Sequence, residues 1–304
     1  MYLNNSFRLD RMITLMVYHT WIKKQKPKGL RIPILMYHSI SNDPEPGIHP
    51  YYRINTSPKV FSEHMKCLDE NNFSVISISD ALKLIESFNK NPSTQSPYHT
   101  IKYVVLTFDD GYRDFYTHAF PILKKCGFTV TVFLPTSFIN DRRKFGLKGK
   151  EHLSWDEVRG LQKEGVLFGS HTITHTQLKF LNRDEIQYEI KQPKDVIEDK
   201  IGKSIDSFSY PFAFPDEDKE FKKYLAETLG GCGYRNGVST RIGTVKNGED
   251  SFFLKRIPVN SFDDIPFLKA KLAGGYDWLY EPQCFFKRIK NKLNHAEQKG
   301  KQAQ

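Results

Sequence analysis

Short apolar runs alternate with helix-length amphipathic segments from about residue 30 onward. The runs are rich in β-branched and aromatic residues, which is typical of buried strands. Proline or turn residues and helix-capping residues lie between them, including Ser57 before Pro58 and capping boxes that start at Ser154 and Asn182. This alternation predicts parallel βα units, and hence either an α/β barrel or an open doubly wound sheet. The predicted strands are Ile32–His38, Val75–Ile78, Val104–Phe108, Thr129–Leu134, Val166–Ser170, Ser207–Tyr210, Tyr234–Ser239 and Phe253–Ile257.

Much of the excess positive charge lies near the two ends of the 304-residue chain, whose formal net charge is +10. Basic termini are more often solvated tails than binding sites, although they are attracted to anionic polymers and lipid headgroups. No nucleic-acid-binding module is recognisable, so we expect no nucleic-acid partner. Peripheral contact with a membrane through the basic termini remains open. The terminal basic residues are Lys23, Lys24, Lys26, Lys28, Lys287, Arg288, Lys290, Lys292, Lys299 and Lys301.

Cysteine usage and the N-terminal apolar stretch bear on the compartment. The four cysteines are far apart and form no C-x-x-C, which argues against a disulfide framework and a structural zinc site and favours a reducing compartment. Met12–Tyr18 is too short to span a membrane and has no small-residue cleavage site after it. We expect a cytoplasmic protein, with a peripheral position at the membrane as the open alternative. We favour a helix packed on the domain for Met12–Tyr18 over a loose membrane-surface contact.

Two adjacent carboxylates stand at the end of the apolar run that starts at Tyr103. Asp109 and Asp110 follow Phe108 directly and precede Gly111, so they lie where the chain leaves the sheet. Carboxylates buried at such a position are costly unless a positive charge compensates them. A metal ion is the natural candidate.

A pair of histidines follows another predicted strand. His171 and His175 come after the strand Val166–Ser170, and residues four apart lie on one face of a helical turn. In parallel α/β folds, the carboxyl ends of the strands are where sites assemble. One carboxylate, two imidazoles and an open position form a pattern of catalytic divalent-metal sites.

In combination these motifs resemble those of a known family. Thr107–Gly111 (Thr-Phe-Asp-Asp-Gly) together with Ser170–His175 (Ser-His-Thr-Ile-Thr-His) is similar to the polysaccharide deacetylases, the NodB-homology or carbohydrate esterase family 4 group. The resemblance covers about residues 30–265. It implies an α/β fold, a distorted (β/α) barrel. It also implies a hydrolase that removes N-acetyl groups from amino sugars in a polysaccharide or oligosaccharide with a divalent metal, most often zinc.

The resemblance also implies roles for individual residues. Asp109 matches the general base, and Asp110, His171 and His175 match the metal ligands. Ser209–Phe212 stands where the family has Arg-x-Pro-Tyr, so the arginine and the tyrosine hydroxyl are absent. The backbone N–H of Phe212 would remain as the oxyanion donor.

Two further candidates lie outside the usual motif order. The family's late Leu-x-x-His motif is missing, but Leu35–His38 near the N-terminus resembles a circularly permuted subgroup that acts on exopolysaccharides. His38 would then be the general acid, and the alternative is a core histidine. Arg256 lies in a late apolar strand and is our candidate for the missing arginine, because a charged residue there needs a partner. The alternative is an outward-facing surface arginine.

These observations predict residues 1–29 as an N-terminal extension, 30–270 as the deacetylase domain and 271–304 as a basic amphipathic helical appendage. Phe212, Phe214 and Trp155 are candidates for a sugar-binding groove, with core packing as the default. Two other functions stay open: a small-molecule amidohydrolase acting on another non-peptide C–N bond, and a non-catalytic sugar-binding relative. The sequence does not determine the oligomeric state.

Overall fold

A closed ring of parallel strands forms the centre of the molecule. The computed structural model describes residues 7–24, 29–90, 101–139, 149–212 and 218–285. Seven of the eight strands in the main sheet follow the order β1-β10-β9-β8-β7-β6-β5, and pairing of β1 with β5 closes the ring. The predicted barrel is therefore confirmed. The strands are β1 (Ile34–Tyr37), β2 (Ser39–Ile40), β3 (Asn55–Thr56), β4 (Phe73–Val75), β5 (Lys102–Phe108), β6 (Thr131–Leu134), β7 (Leu167–Ser170), β8 (Ser207–Ser209), β9 (Asn236–Ile242) and β10 (Leu254–Pro258).

Three strands lie outside the ring. β4 pairs with the outer part of β5, and β2 pairs with β3 in a separate two-stranded sheet. The predicted strand Val75–Ile78 is wrong after its first residue, because β4 ends at Val75 and a helix begins at Ile78. The reason is local: the Ser77 hydroxyl accepts a hydrogen bond from the Asp80 N–H at 3.0 Å and caps that helix.

Helices follow most strands and cover the outside of the barrel. The predicted starts are confirmed: Ser57 caps its helix through the Val60 N–H, and reciprocal capping boxes form at Ser154 and Asn182. The helices are α1 (Leu9–Thr20), α2 (Pro58–Glu70), α3 (Ile78–Lys90), α4 (Phe120–Cys126), α5 (Trp155–Lys163), α6 (Arg183–Ile201), α7 (Lys219–Gly231) and α8 (Ile265–Leu272).

The core fills the barrel and the layer between the strands and the helices. β1 and β6 are buried along their whole length, as expected for parallel strands that are covered on both faces. At Gly169 in β7, a Cβ atom would lie 2.5 Å from the Phe133 ring and 2.7 Å from the Ser207 carbonyl oxygen. Only glycine therefore allows β7 to pack this closely beside its neighbours, just before the chain reaches His171.

The chain before the barrel and the chain after it meet on one side of the domain. α1 packs against α8, and the Trp278 indole N–H donates to the Thr14 hydroxyl at 3.0 Å. Met12–Tyr18 thus lies in a helix that packs on the domain, as predicted, although Met12 and Met16 on its outer side are exposed. No helix in the described part of the chain is long and apolar enough to cross a membrane. The predicted appendage is described only as far as Phe285, so the rest of its helical face lies outside the described residues.

Candidate active site

The predicted site residues come from separate strands of the ring. His38 follows β1, Asp109 and Asp110 follow β5, and His171 follows β7, while Arg256 lies within β10. Because all these strands are parallel, their carboxyl ends open at the same mouth of the barrel. Barrel closure thus brings together side chains that are far apart in the sequence.

Three side chains converge as a candidate metal site. The Asp110 Oδ1 atom lies 3.4 Å from His171 Nε2 and 3.2 Å from His175 Nε2, and the three ligand atoms fall within 4.8 Å of one another. His171 Nδ1 lies 2.7 Å from the Ser209 carbonyl oxygen, so its proton is directed there and Nε2 is left with a lone pair.

The donor set suits a divalent cation. Asp110 Oδ1 is buried and has no hydrogen-bond partner among the described residues. A buried, unsatisfied carboxylate oxygen that faces two imidazole nitrogens is unfavourable unless a cation lies between them. One carboxylate and two imidazoles are ligands that zinc accepts in catalytic sites. The residues present therefore fit the metal that the sequence predicted.

The two histidines do not lie on a helical turn, so that part of the prediction is wrong. Residues 171–176 form a loop, in which Thr172 and His175 adopt left-handed backbone conformations with φ of 65° and 55°. The side chain of Glu189, on α6, holds this loop in place. Its Oε2 accepts from the N–H groups of Ile173 at 2.7 Å and Thr174 at 3.1 Å, and its Oε1 accepts from the Thr174 hydroxyl at 2.7 Å.

Sequence reasoning missed Glu189, although a signal for it was present. The residue is buried and falls on the inward face of α6, beside Ile186 and Ile190. An acidic residue on the buried stripe of an amphipathic helix requires polar partners. Here those partners are the N–H groups of the loop that carries both histidines.

Asp109 is held by a buried arginine. The two guanidinium nitrogens of Arg256 donate to the two carboxylate oxygens of Asp109, each at 2.7 Å. Arg256 Nε also donates to the Ser239 carbonyl oxygen at 3.0 Å, and one terminal nitrogen donates to the Ser209 hydroxyl at 3.0 Å. Arg256 is fully buried, so the outward-facing alternative is wrong. The structure supplies a planar, bidentate partner of the kind that carboxylates bind best.

The charges around the site set its protonation. Burial alone would raise the pKa of Asp109, but the Arg256 guanidinium outweighs burial and the pKa is lowered. Burial opposes the ionised form of Asp110 too, yet its contacts with His171 and His175 hold its pKa well below the usual range. For His171, the charges of both aspartates overcome burial and raise the pKa of the imidazole. Both carboxylates are thus ionised at neutral pH.

Backbone strain is concentrated at this mouth. Five described residues other than glycine have a positive φ, and four of them, Asp110, Thr172, His175 and Phe212, belong to the site. Such conformations cost free energy and persist where the surrounding structure enforces them. Gly111 continues the turn with φ 59°, and a Cβ there would lie 2.8 Å from a methyl group of Leu134. The turn that aims the two aspartates therefore requires this glycine.

Comparison with known proteins agrees with this geometry. The family profile described as polysaccharide deacetylase matches residues 97–231. The Bacillus subtilis (strain 168) protein named "Putative polysaccharide deacetylase YxkH" is 31% identical over 259 residues, covering 84% of this chain and 78% of that protein. The chain belongs to the polysaccharide deacetylase family. Members of this family are hydrolases that act on carbon–nitrogen bonds other than peptide bonds, and the chain is an enzyme of that class.

Solved deacetylase structures share the fold. The Streptococcus pyogenes deacetylase PplD, in complex with acetate, is 22% identical with a TM-score of 0.66, covering 81% of this chain and 99% of that one. IcaB from Ammonifex degensii is 20% identical with a TM-score of 0.63, covering 81% and 98%. At these identities the likeness shows the barrel fold alone.

His38 lies beside the two aspartates of the candidate site. The Asp109 N–H donates to the Tyr37 carbonyl oxygen at 3.0 Å, so the two strand ends run side by side. Burial is the main reason that the pKa of His38 is lowered, although the charges of Asp110 and Asp109 oppose the shift. The imidazole is therefore neutral at neutral pH in the resting site.

A third aspartate, Asp114, fixes the chain just after His38. One carboxylate oxygen of Asp114 accepts from the Ser39 hydroxyl at 2.5 Å, and the other accepts from the Ile40 N–H at 3.0 Å. Asp114 lies three residues after Gly111, so it connects the turn of the aspartate pair to the segment that carries His38. Sequence reasoning missed this residue because its partners are more than seventy positions away.

The aromatic residues predicted for a sugar-binding groove lie in different environments. Phe212 is 53% exposed, and its ring lies edge-on to the His175 ring at 4.7 Å between centroids, so it is placed at the mouth of the deacetylase site. Trp155 is half-buried against the main core, in keeping with the core-packing default. Phe214 lies outside the described residues.

Proposed function

We propose that the enzyme removes N-acetyl groups from amino sugars in a polysaccharide or glycan by metal-dependent hydrolysis. The observation that carries this proposal is that the two adjacent aspartates have different partners. Asp110 faces two imidazole nitrogens, while the guanidinium group of Arg256 binds both carboxylate oxygens of Asp109. One carboxylate is thus arranged as a metal ligand and its neighbour as an ionised base.

The three ligands Asp110, His171 and His175 would hold the ion, and we propose zinc because their composition suits it. When bound, such an ion polarises the acetamide carbonyl and makes water more acidic. Arg256 and the Ser209 hydroxyl orient Asp109 and keep it ionised, so it can accept a proton from the attacking water.

The Phe212 N–H would stabilise the oxyanion, and His38 would transfer the proton to the leaving nitrogen. As the water oxygen adds to the carbonyl carbon, the backbone N–H of Phe212 would donate to the oxygen that becomes negative. His38 starts neutral, takes up the proton collected at Asp109, and delivers it to the nitrogen as the C–N bond breaks. The products are acetate and a free amine on the sugar.

The test separates the two aspartates. Metal content is measured on the purified chain, together with acetate release from N-acetylated amino-sugar oligomers. We expect Asp110→Asn to lose both metal and acetate release. Asp109→Asn should keep its metal but lose a factor of about 10² to 10⁴ in turnover. Asp195→Asn is the matched control, because that carboxylate is exposed on α6 and pairs only with Lys191 among the described ion pairs.

Three outcomes would overturn the proposal. Undiminished acetate release after metal removal would refute metal dependence. Ring opening or ammonia release from small cyclic amides, with no acetate from sugars, would favour the amidohydrolase alternative. Sugar binding without turnover in the metal-loaded protein would favour the non-catalytic one.

A further inference from the structure

The most deeply buried side chains of the first helix are polar. The residues that α1 buries are Asp10 and Thr14, both polar. Asp10 accepts from Arg8 at 2.7 and 2.6 Å and from the Tyr276 hydroxyl at 2.7 Å, and Thr14 accepts from Trp278. Arg11 also donates to Asp264, the N-cap of α8, at 2.5 Å, and Arg8 lies 3.8 Å from Asp263. Hydrogen bonds and ion pairs therefore hold this helix to its own domain.

Part of the apolar surface of α1 points away from the domain, although Ile13, Leu15 and Val17 are half-buried. Leu9, Met12 and Met16 are 53%, 53% and 59% exposed, and their spacing of three and four places them in one stripe. A helix that only had to pack on its domain would turn such a stripe inward. Two large aromatic residues flank the helix: Phe7 is 64% exposed before it, and Trp21 is 67% exposed at its C-terminal cap.

The exposed charges of this segment are positive, although that of Arg11 is paired with Asp264. Asp10 is the only acidic residue from Phe7 to Asn42, and it is buried and paired with Arg8. Lys23 and Lys24 are exposed just beyond the helix. The sequence adds further lysines within the next few positions. The outer surface of this segment therefore combines an apolar stripe with cations.

We propose that α1 attaches the enzyme to the surface of an anionic lipid bilayer. The stripe of Leu9, Met12 and Met16 lies in the boundary between headgroups and acyl chains, and the exposed rings of Phe7 and Trp21 flank it. Lys23 and Lys24 contact the lipid phosphates. A second copy of the chain fits less well, because two-fold pairing would add a second set of cations without an exposed acidic partner on the helix.

The experiment is cosedimentation of the full chain with vesicles, without substrate, so its result is independent of the proposed activity. Vesicles of phosphatidylcholine with phosphatidylglycerol are compared with vesicles of phosphatidylcholine alone. We expect binding to the anionic vesicles, weakened at least about tenfold in Met12→Ser/Met16→Ser. In Lys23→Gln/Lys24→Gln, binding should weaken about tenfold and depend less on salt. Tyr188→Ser, at an exposed aromatic residue on α6, should bind like the wild type.

Any of three results would overturn the proposal. The wild type could remain in the supernatant with anionic vesicles, or Met12→Ser/Met16→Ser could bind them undiminished. The stripe could also prove to be a contact between copies, seen as a lipid-free dimer that the double variant converts to a monomer. Because both methionines are exposed, the variants should keep the thermal unfolding midpoint and acetate release of the wild type, which excludes misfolding as the cause of lost binding.

Discussion

Replacing Arg256 by leucine should expose how strongly the barrel depends on one buried ion pair. Arg256 and Asp109 are 0% and 3% exposed, and the variant leaves the carboxylate buried without its partner. Removing one member of a buried, hydrogen-bonded pair costs about 3–5 kcal/mol. We therefore expect the free energy of unfolding at neutral pH to fall by about that amount, together with most of the activity.

The pH dependence of that loss gives the sharper test. In the wild type the pKa of Asp109 is lowered, so its stabilising contribution is present above the ordinary carboxyl pKa and disappears as pH falls through the lowered one. In Arg256→Leu, burial acts unopposed by the guanidinium and should raise the pKa of Asp109. The ionised group then destabilises the fold above the ordinary pKa, and acidification relieves this.

The assay is urea unfolding of both proteins, with chelator present, at about pH 4 and about pH 7. The difference in unfolding free energy should widen from the lower to the higher pH, since the Asp109 charge matters only where it is ionised. An equal difference at both pH values would refute the reasoning. So would an unchanged stability at neutral pH.

Two further variants distinguish the effect of the Arg256–Asp109 interaction from the effect of each residue alone. Arg256→Leu combined with Asp109→Leu leaves no buried charge, so it should recover much of the lost stability while activity stays absent. Arg256→Lys keeps the positive charge but loses the planar fork, and it should fall between wild type and Arg256→Leu. Strict additivity of the two leucine substitutions would contradict the coupling that the 2.7 Å contacts imply.

Four other expectations concern the groups around this pair. His38→Ala should lower kcat by about 10² to 10⁴ with metal content unchanged, whereas near-normal turnover would return His38 to a core role. Metal affinity should fall as pH drops through the raised pKa of His171, because protons then compete with the metal for the imidazole. Competition with a chromophoric chelator measures this affinity, and an affinity that does not change with pH would count against His171 as a ligand. Glu189→Ala should destabilise the fold by about 1–3 kcal/mol and weaken metal binding. Glu189→Gln should keep most of the stability and of the metal affinity, because an amide oxygen can accept the same N–H bonds, and equal effects of the two substitutions would contradict this explanation. Asp114→Ala should lower kcat more than it raises KM, and Asp114→Asn should rescue it; a change in KM alone would argue against positioning of His38.

The barrel was predictable because each strand carries its own local signal. Parallel strands that are buried on both faces appear as continuous apolar runs, and capping residues mark the helices between them. The prediction failed at Ile76 to Ile78, where an apolar run continues past β4 into a capped helix. Periodicity cannot separate the end of a buried strand from the start of a buried helix over so few residues.

The site was less accessible to sequence reasoning, and the histidine pair shows why. A spacing of four residues suggested a helical turn, but left-handed conformations at Thr172 and His175 produce the same convergence in a loop. Nothing in the spacing reveals Glu189, which fixes that loop from another helix. Arg256 could be suspected from its place in an apolar strand, but its contact with Asp109 depends on closure of the whole barrel.

A ring of strands has no first member. Pairing of β1 with both β10 and β5 makes the beginning and the end of the barrel neighbours, so His38 occupies an ordinary place in the circle although it stands near the start of the chain. The family match over residues 97–231 includes the aspartate pair and both histidines but reaches neither His38 nor Arg256. Comparisons that require motifs in a fixed linear order would score such a chain as incomplete. The order of residues around the barrel is therefore a better guide to this site than their order along the chain.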